Sequence, residues 1–368
     1  MTTVPSRAAA PKRSPEQTGA GLMRALVKHH AAEGLEYTDA RPVPEPGPRE
    51  VRIKVTKAGI CGTDRHIWQW DDWASSRVPL GTVTGHEFVG TIDKLGEAVT
   101  GLGVGQRVSA EGHLHSGNDY NARTGNAHIA TDTRIFGIDC DGCFADCIVV
   151  PEQNVWPVHE AISDDIAAVF DPLGNAVHTV MEAGVSAKTV LISGVGIIGL
   201  MAVTVARAAG AARIYCTDVN PPRLALARKL GAHEAFDARE GDNWIKTIRN
   251  ETAGEGVDVL LEMSGAPTAM DQGFRTLRNG GRAALLGLPA RDVAFDFNSN
   301  IIFTGCTVLG ITGRRIWETW SQTEKLLVGG RLDLGDIITH TFPLADYEKA
   351  FQTMISGEGI KVLLDINA

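Results

Sequence analysis

The chain has 368 residues, 43% of them hydrophobic and 21% charged, with a formal net charge of −9 at pH 7. That length suffices for two domains with sizeable cores, and the balance is that of an ordinary soluble globular chain. The acidic excess argues against a nucleic-acid partner, and no apolar run reaches the length of a membrane span.

Residues 1–20 are rich in Ala, Pro, Ser, Thr and basic side chains and have no apolar h-region. They are expected to form a disordered tail without a catalytic role, not a secretory signal. Residues 21–174 follow with short alternating strands such as Val51-Arg-Ile-Lys-Val-Thr and Gly90-Thr-Ile-Asp-Lys-Leu, punctuated at Pro44-Glu-Pro-Gly-Pro48 and Gly101-Leu-Gly-Val-Gly105. The pattern predicts a β-barrel-like domain.

Two clusters in that segment carry chemistry: Gly59-Ile-Cys61-Gly62-Thr63-Asp64-Arg65-His66 and Gly85-His86-Glu87-Phe88-Val89-Gly90. Cysteine, histidine and carboxylate are zinc-ligand types, and a catalytic zinc keeps one position for water or substrate. Each residue alone has another reading, Cys61 as a buried thiol and His86 as a core histidine. Their joint appearance upstream of a dinucleotide motif favours a metal. Cys140-x-x-Cys143 with Cys147 also has ligand-like spacing, but Cys143-Phe-Ala-Asp-Cys147-Ile-Val-Val alternates like a strand entering a core, which predicts structural thiols. The six cysteines show no disulfide framework, so a reducing, cytoplasmic home is expected.

Residues 175–314 alternate strands and helices, which predicts a doubly wound parallel sheet, an α/β architecture. Lys188-Thr-Val-Leu-Ile192 reads as a buried strand, Ser193-Gly194-Val195-Gly196-Ile197-Ile198-Gly199 as a glycine turn, and Leu200 to Ala209 as a helix. About 20 residues past Gly199, at the end of a second strand, stands Asp218. This is a dinucleotide-binding arrangement: glycines for the tight turn and the approach of the pyrophosphate, a helix N-terminus for the phosphates, and an acid for the ribose. Asp218 would accept the 2′-OH and repel a 2′-phosphate, which predicts NAD over NADP. Arg223 reads equally as a contact to ribose or pyrophosphate and as a solvated arginine of the next helix. Later strands, Val257–Ser264, Arg282–Leu286 and Thr307–Thr312, place Ser264, Leu286, Gly287 and Ile311 where such folds meet the cofactor, with Ile198 in the same set. Residues 315–368 resume a mixed pattern, with a helix near Trp317–Leu327, an Ile337–Phe342 segment and a strand Lys361–Ile366. This part is expected to fold back onto the first domain.

Several segments together resemble the zinc-dependent medium-chain alcohol dehydrogenases over essentially all of Leu22–Ile366. They are Ile60-Cys-Gly-Thr-Asp64 with His66, Trp70-Asp-Asp-Trp73, Ala110-Glu-Gly-His113, Phe170-Asp-Pro-Leu-Gly-Asn-Ala-Val-His178, Leu261-Glu-Met-Ser-Gly-Ala266, Gly310-Ile-Thr-Gly-Arg314 and Trp317-Glu-Thr-Trp320. The Trp-Asp-x-Trp, Asp-Pro-x-Gly-Asn-Ala-Val and Trp-Glu-Thr-Trp segments look most like the threonine dehydrogenase branch of that family. The resemblance implies a GroES-like catalytic domain from residues 21–174 and 315–368, and a Rossmann domain from residues 175–314. It also implies zinc surrounded by Cys61, His86 and Glu87. Asp171 would then occupy the place of a fourth acidic ligand, one methylene shorter than the glutamate of some members. Thr63 and His66 match proton-relay positions, and Glu87 counts with them among the catalytic residues.

His113, on the implied substrate side, reads equally as a substrate contact and as a surface or lobe-packing histidine. Members with a structural zinc carry four cysteines where this chain has Ser116, Asp119, Ala122 and Ala130, which implies a single zinc per chain. The implied activity is hydride transfer from a secondary alcohol to NAD, with L-threonine as the leading substrate. A polyol, sugar or other hydroxy-acid dehydrogenase and a non-catalytic dinucleotide-binding protein are the alternatives. The branch also implies a homo-oligomer, a tetramer. Trp68, Trp70 and Trp73 read either as an interface or as a loop over the mouth of the site.

Overall fold

The computed structural model describes residues 21–368, so the reading of residues 1–20 as a tail lies outside the described residues. The strand Glu50–Gly59 shows how the first domain forms. Val51, Ile53 and Val55 are buried while Lys54 is exposed, the period of two of a half-buried strand. It lies near the middle of a seven-stranded sheet in the order Val155–Pro157, Arg107–Ala110, Glu87–Leu95, Glu50–Gly59, Lys361–Asp365, Ile338–Pro343, with Cys147–Pro151 also paired to Glu50–Gly59. The last strand runs antiparallel to it, with Leu363 opposite Gly59. The end of the chain therefore closes the barrel, and Phe351, Val362 and Leu364 join Val51, Ile53, Phe88 and Phe144 in one core.

The strand expected from Cys143 onward is shorter, Cys147–Pro151. The residues before it spend their backbone hydrogen bonds on other partners: Cys143 and Phe144 donate to Gly85 and Thr84, and Phe144 accepts from Leu26. A small lobe lies between His113–Leu114 and its partner Arg134–Ile135, with short helices at Tyr120–Arg123 and Ala127–Ile129.

The second sheet is six-stranded and parallel, in the order Glu234–Asp237, Arg213–Asp218, Thr189–Ser193, Val257–Glu262, Leu277–Leu285, Thr307–Gly310. Val190, Leu191 and Ile192 are fully buried because helices cover both faces. Phe170–Ala183 and Ile197–Ala208 pack on one side. Trp244, Ile248 and Phe274 cover the other. The chain turns opposite ways from Thr189–Ser193 to its two neighbours, so a crevice opens at the carboxyl ends of those strands. The helix Phe170–Ala183 runs across position 174/175 and carries Asp171 in its first turn. It packs against the helix Ile197–Ala208 and against the strand Glu87–Leu95, and so brings that carboxylate toward the barrel. No helix of the described residues is long and apolar enough to cross a membrane.

Candidate active site

Cys61 caps the helix Gly62–Gln69, and His86 precedes the strand Glu87–Leu95. The fold brings their ligand atoms and one from Glu87 within 4.8 Å of one another, the sole such group among the described residues. The helix is capped by Asp64, whose Oδ2 accepts the Cys61 N–H at 2.8 Å. Its other oxygen faces His86 Nδ1 at 3.9 Å, as the outer carboxylate of a metal-ligating histidine does. Asp64 Oδ1, His86 Nδ1 and Glu87 Oε1 are all buried without a hydrogen-bond partner. Native interiors rarely leave such atoms bare. Burial disfavours a charged imidazole, yet Asp64 and Cys61 outweigh it and raise His86 to about 10. Burial pushes the Asp64 carboxyl up to about 6. A pocket whose anions favour positive charge at buried His86 is electrostatically suited to a divalent cation. Donor types, spacing and bare atoms all fit zinc.

Thr63 Oγ1 lies 3.7 Å from Cys61 Sγ. His66 is exposed and falls on the same helical face as Thr63, three residues on. Its Nδ1 is 2.6 Å from Asp71 Oδ2, and its ring meets Trp73 edge-on at 6.0 Å. The other tryptophans do different work. Trp68 is a core residue stacked on Phe351 at 4.7 Å, which corrects its reading as interface or mouth. Trp70 lies beneath the Lys28 ammonium.

Four residues that the sequence reading left without a role matter here. Lys361 is buried and donates to Glu87 Oε2 and, at 2.8 Å, to the Ile60 carbonyl. Buried Glu111 accepts from Arg314 Nε at 3.0 Å, Trp320 Nε1 at 2.7 Å and the His113 N–H at 3.0 Å, and His113 Nδ1 lies 2.6 Å away. Burial would raise this carboxyl, but Arg314 and His113 hold it well below the usual range. Nδ1 of His113 faces Glu111 Oε1 and, at 3.2 Å, Arg314 Nη2. His113 is therefore not a surface residue. Arg314 also reaches Asp171 Oδ1 at 2.7 Å. Asp171 itself stands outside the Cys61–His86–Glu87 group. The one available signal for Lys361 and Glu111 was a charge in an otherwise apolar run.

The Trp-Glu-Thr-Trp segment packs rather than binds. Trp317 stacks on Trp156 at 5.4 Å, and Trp320 meets Phe170 at 5.6 Å. The cysteine cluster behaves as structural thiols: Cys143 donates to the Glu87 carbonyl, and burial pushes Cys147 up to about 11.

In the crevice of the parallel sheet, Gly194 has φ +88, and a Cβ there would lie 2.6 Å from Ser264. A Cβ at Gly199 would lie 2.1 Å from the Gly194 carbonyl, whereas one at Gly196 would meet nothing within 4 Å. Gly194 and Gly199 thus shape the turn, and Gly196 faces open space. Gly196 caps the helix Ile197–Ala208, which includes Ile198, without a side-chain bond, so the first-turn N–H groups stay available to a phosphate. Asp218 accepts from Val195 N at 2.8 Å and from Asn220 N at 2.9 Å, which fixes it beside the turn. Arg223 is half-buried in the first turn of Pro221–Leu230. The fourth overlooked residue, Glu262, accepts from Ser264 N at 3.0 Å and Gly265 N at 3.1 Å, and its carbonyl takes the Leu286 and Gly287 N–H groups. It therefore shapes the far wall. Ile311 is buried at the end of the edge strand, its N–H on the Leu285 carbonyl.

Residues 47–160 match the alcohol dehydrogenase GroES-like domain, and residues 198–329 match the zinc-binding dehydrogenase domain. A relative from Caldanaerobacter subterraneus subsp. tengcongensis named L-threonine 3-dehydrogenase is 46% identical over 94% of this chain and 99% of its own length. Another of that name, from Chromobacterium violaceum, is 44% identical over 93% of this chain and 99% of its own. A zinc-binding dehydrogenase from Sinorhizobium meliloti 1021, solved bound to NADP, superimposes with a TM-score of 0.84 at 26% identity, covering 94% of this chain and 99% of that one.

Proposed function

The chain belongs to the zinc-binding alcohol dehydrogenases with a GroES-like domain, and on that premise we propose that it oxidises L-threonine to 2-amino-3-oxobutanoate with NAD. The observation that carries the chemistry is the meeting of Cys61, His86 and Glu87 beside Thr63. The substrate rests on the 44% and 46% identity to the two threonine dehydrogenases.

Cys61, His86 and Glu87 would hold one zinc ion. When bound, zinc supplies a Lewis acid for the substrate hydroxyl, and NAD supplies the hydride acceptor. Thr63 would relay the hydroxyl proton, giving up its own as it takes that of the substrate. His66, on the same helical face and open to solvent, delivers it to water, with Asp71 fixing its ring. His113 offers a ring nitrogen to the polar groups of the substrate. Glu111 and Arg314 hold its ring in place. A single zinc is supported by the lobe's own cross-links: Asp119 accepts from Ala122 N and Thr131 N, both at 2.8 Å, and Asp132 accepts from Ser116 N at 3.1 Å.

Residues 21–174 with 315–368 form the catalytic domain in this proposal, and residues 175–314 the cofactor domain. A homo-oligomer, a tetramer, is part of it. It is supported by exposed Phe297, Ile302, Phe303 and Val308 at the edge strand Thr307–Gly310, which among the described residues is paired on one side only. A monomeric mass by light scattering would overturn that part. A cytoplasmic location is supported by cysteines that all stand free.

The test is a panel of alcohols with NAD, read at the nicotinamide absorbance. L-Threonine should be the best substrate; turnover of a polyol or another hydroxy acid without turnover of L-threonine would replace it. His113→Ala should cost roughly 10- to 100-fold on L-threonine, the worth of one hydrogen bond to a charged group. It should cost much less on a simple secondary alcohol. Equal losses on both would remove His113 from the substrate site.

NAD is the preferred cofactor on the position of Asp218, although one structural neighbour holds NADP. Asp218→Asn keeps an acceptor for the Val195 N–H and loses the charge that repels a 2′-phosphate. The ratio of NAD to NADP efficiency should fall by about tenfold or more. An unchanged ratio would show that Asp218 is not the ribose acid.

A further inference from the structure

We infer that Lys28 is a positioning residue that fixes the end of the helix Gly62–Gln69 and, through Trp70 and Asp71, the ring of His66 from which the proton leaves. The inference deepens the proposed function and rests on its reading of Thr63 and His66 as a relay.

Lys28 ends the first strand, Leu22–Lys28, and is fully buried. Its ammonium donates to the carbonyls of Ala32 at 2.5 Å, Gly34 at 2.9 Å and Trp68 at 3.4 Å, and stands 4.8 Å from the centre of the Trp70 ring. These partners belong to two separate segments: the loop that follows Lys28, and the end of the helix that carries Thr63 and His66. A compact ammonium with three donors suits acceptors that converge on one point. The loop adds two contacts of its own. The Gly34 N–H donates to the Trp68 carbonyl at 2.8 Å, and Glu33 Oε1 accepts from Trp68 Nε1 at 3.2 Å. Carbonyls of a last helical turn have no partner within the helix, and a cation there also meets the negative end of the helix dipole. Burial lowers Lys28 to about 8 against the pull of Glu33, so its charge is present at neutral pH.

Trp70 is where this clamp meets the chemistry. It ends the helix at φ 53 and ψ 48, a left-handed conformation that bulky residues rarely adopt. Attraction between its ring and a desolvated cation offsets that cost. The reversal at Trp70 turns Asp71 back toward its own helix. Asp71 Oδ2 meets His66 Nδ1 at 2.6 Å, while Oδ1 accepts the Ala74 N–H at 3.0 Å. Lys28 thus acts on His66 through these two residues.

The experiment compares kcat and KM of the zinc-loaded full chain, with NAD and the best alcohol of the panel above, for Lys28→Met, His66→Ala and the two combined. Lys28→Met should lower kcat by about tenfold, a fraction of what a well-placed proton-transfer group contributes, and leave both KM values within about twofold. In a chain that already carries His66→Ala it should cost nothing more, because its effect passes through that ring. A disturbance spread over the fold would multiply the two losses. Without substrate, the amides of Trp70 and Asp71 should exchange with solvent about tenfold faster in Lys28→Met, as the helix end opens. Trp70→Leu keeps the lysine and removes the half-buried ring. It should reproduce the kcat loss, and it decides alone should Lys28→Met fail to fold. An unchanged kcat, unchanged exchange, or a loss that persists in full on top of His66→Ala would overturn the proposal. Full kcat in His66→Ala itself would instead refute the relay reading beneath it.

Discussion

Replacing Cys61 with serine should strip the metal and lower alcohol oxidation by about 10³-fold or more, the worth of several kcal/mol of Lewis-acid stabilisation. A serine hydroxyl stays protonated near neutral pH and gives the cluster no anionic sulfur. Its loss leaves His86 and Glu87, too few donors for firm zinc binding, and deprives Thr63 of its neighbour at 3.7 Å. The glycine turn at Gly194–Gly199 belongs to the parallel sheet, so NAD binding, measured by fluorescence titration, should persist. Elemental analysis should return about one zinc per wild-type chain, the open catalytic kind, and almost none in the variant. Two firmly bound ions in the wild type would contradict the single-zinc reading. Zinc retained by the variant would remove Cys61 from the ligand set.

Replacing Lys361 with methionine should lower stability by about 3–5 kcal/mol, because it leaves Glu87 buried and unpaired. Methionine keeps most of the stem volume, so packing is a minor part of the cost. The site is tight: a Cβ at Gly59 would lie 2.3 Å from Glu87 Oε2 and 3.0 Å from Lys361 Cε. A thermal melt should show the midpoint about 6–15 °C lower, and Glu87→Gln in the same chain should recover part of it. The pH dependence has a definite sign. Burial would lower the Lys361 ammonium, but Glu87 and Cys61 outweigh it and hold it above the ordinary lysine value of 10.5. A raised folded pKa means the contribution is fully present below that ordinary value and is lost as pH rises through the higher one. The gap between wild type and variant should therefore stay constant from neutral pH to mildly alkaline pH and close only in strong alkali. A gap that closes between neutral and mildly alkaline pH would assign it to a different group.

What could be read from the residues was what is local in the chain. The turn at Gly194–Gly199, its helix and Asp218 lie within one strand–helix–strand unit, and short-range sterics dictate glycine there. The barrel strands were legible because burial on one face imposes a period of two. Cys61, His86 and Glu87 were recognisable by residue type, since few side chains suit zinc.

The tertiary structure decided which charges face one another inside the core. Glu87 and Lys361 are 274 residues apart and Glu111 and Arg314 are 203 apart, yet each pair is buried and in contact. No periodicity or spacing encodes such a pairing, because the free energy that selects it exists only once the barrel closes and water is gone. The same holds for the tryptophans. From the residues alone Trp68 read as an interface or as a loop over the mouth of the site, and its stacking on Phe351 placed it in the core instead. The sequence by itself determined the kinds of chemistry this protein could support. Which charges pair inside the core was decided by packing, because burial makes an unpaired charge too costly to leave unmatched.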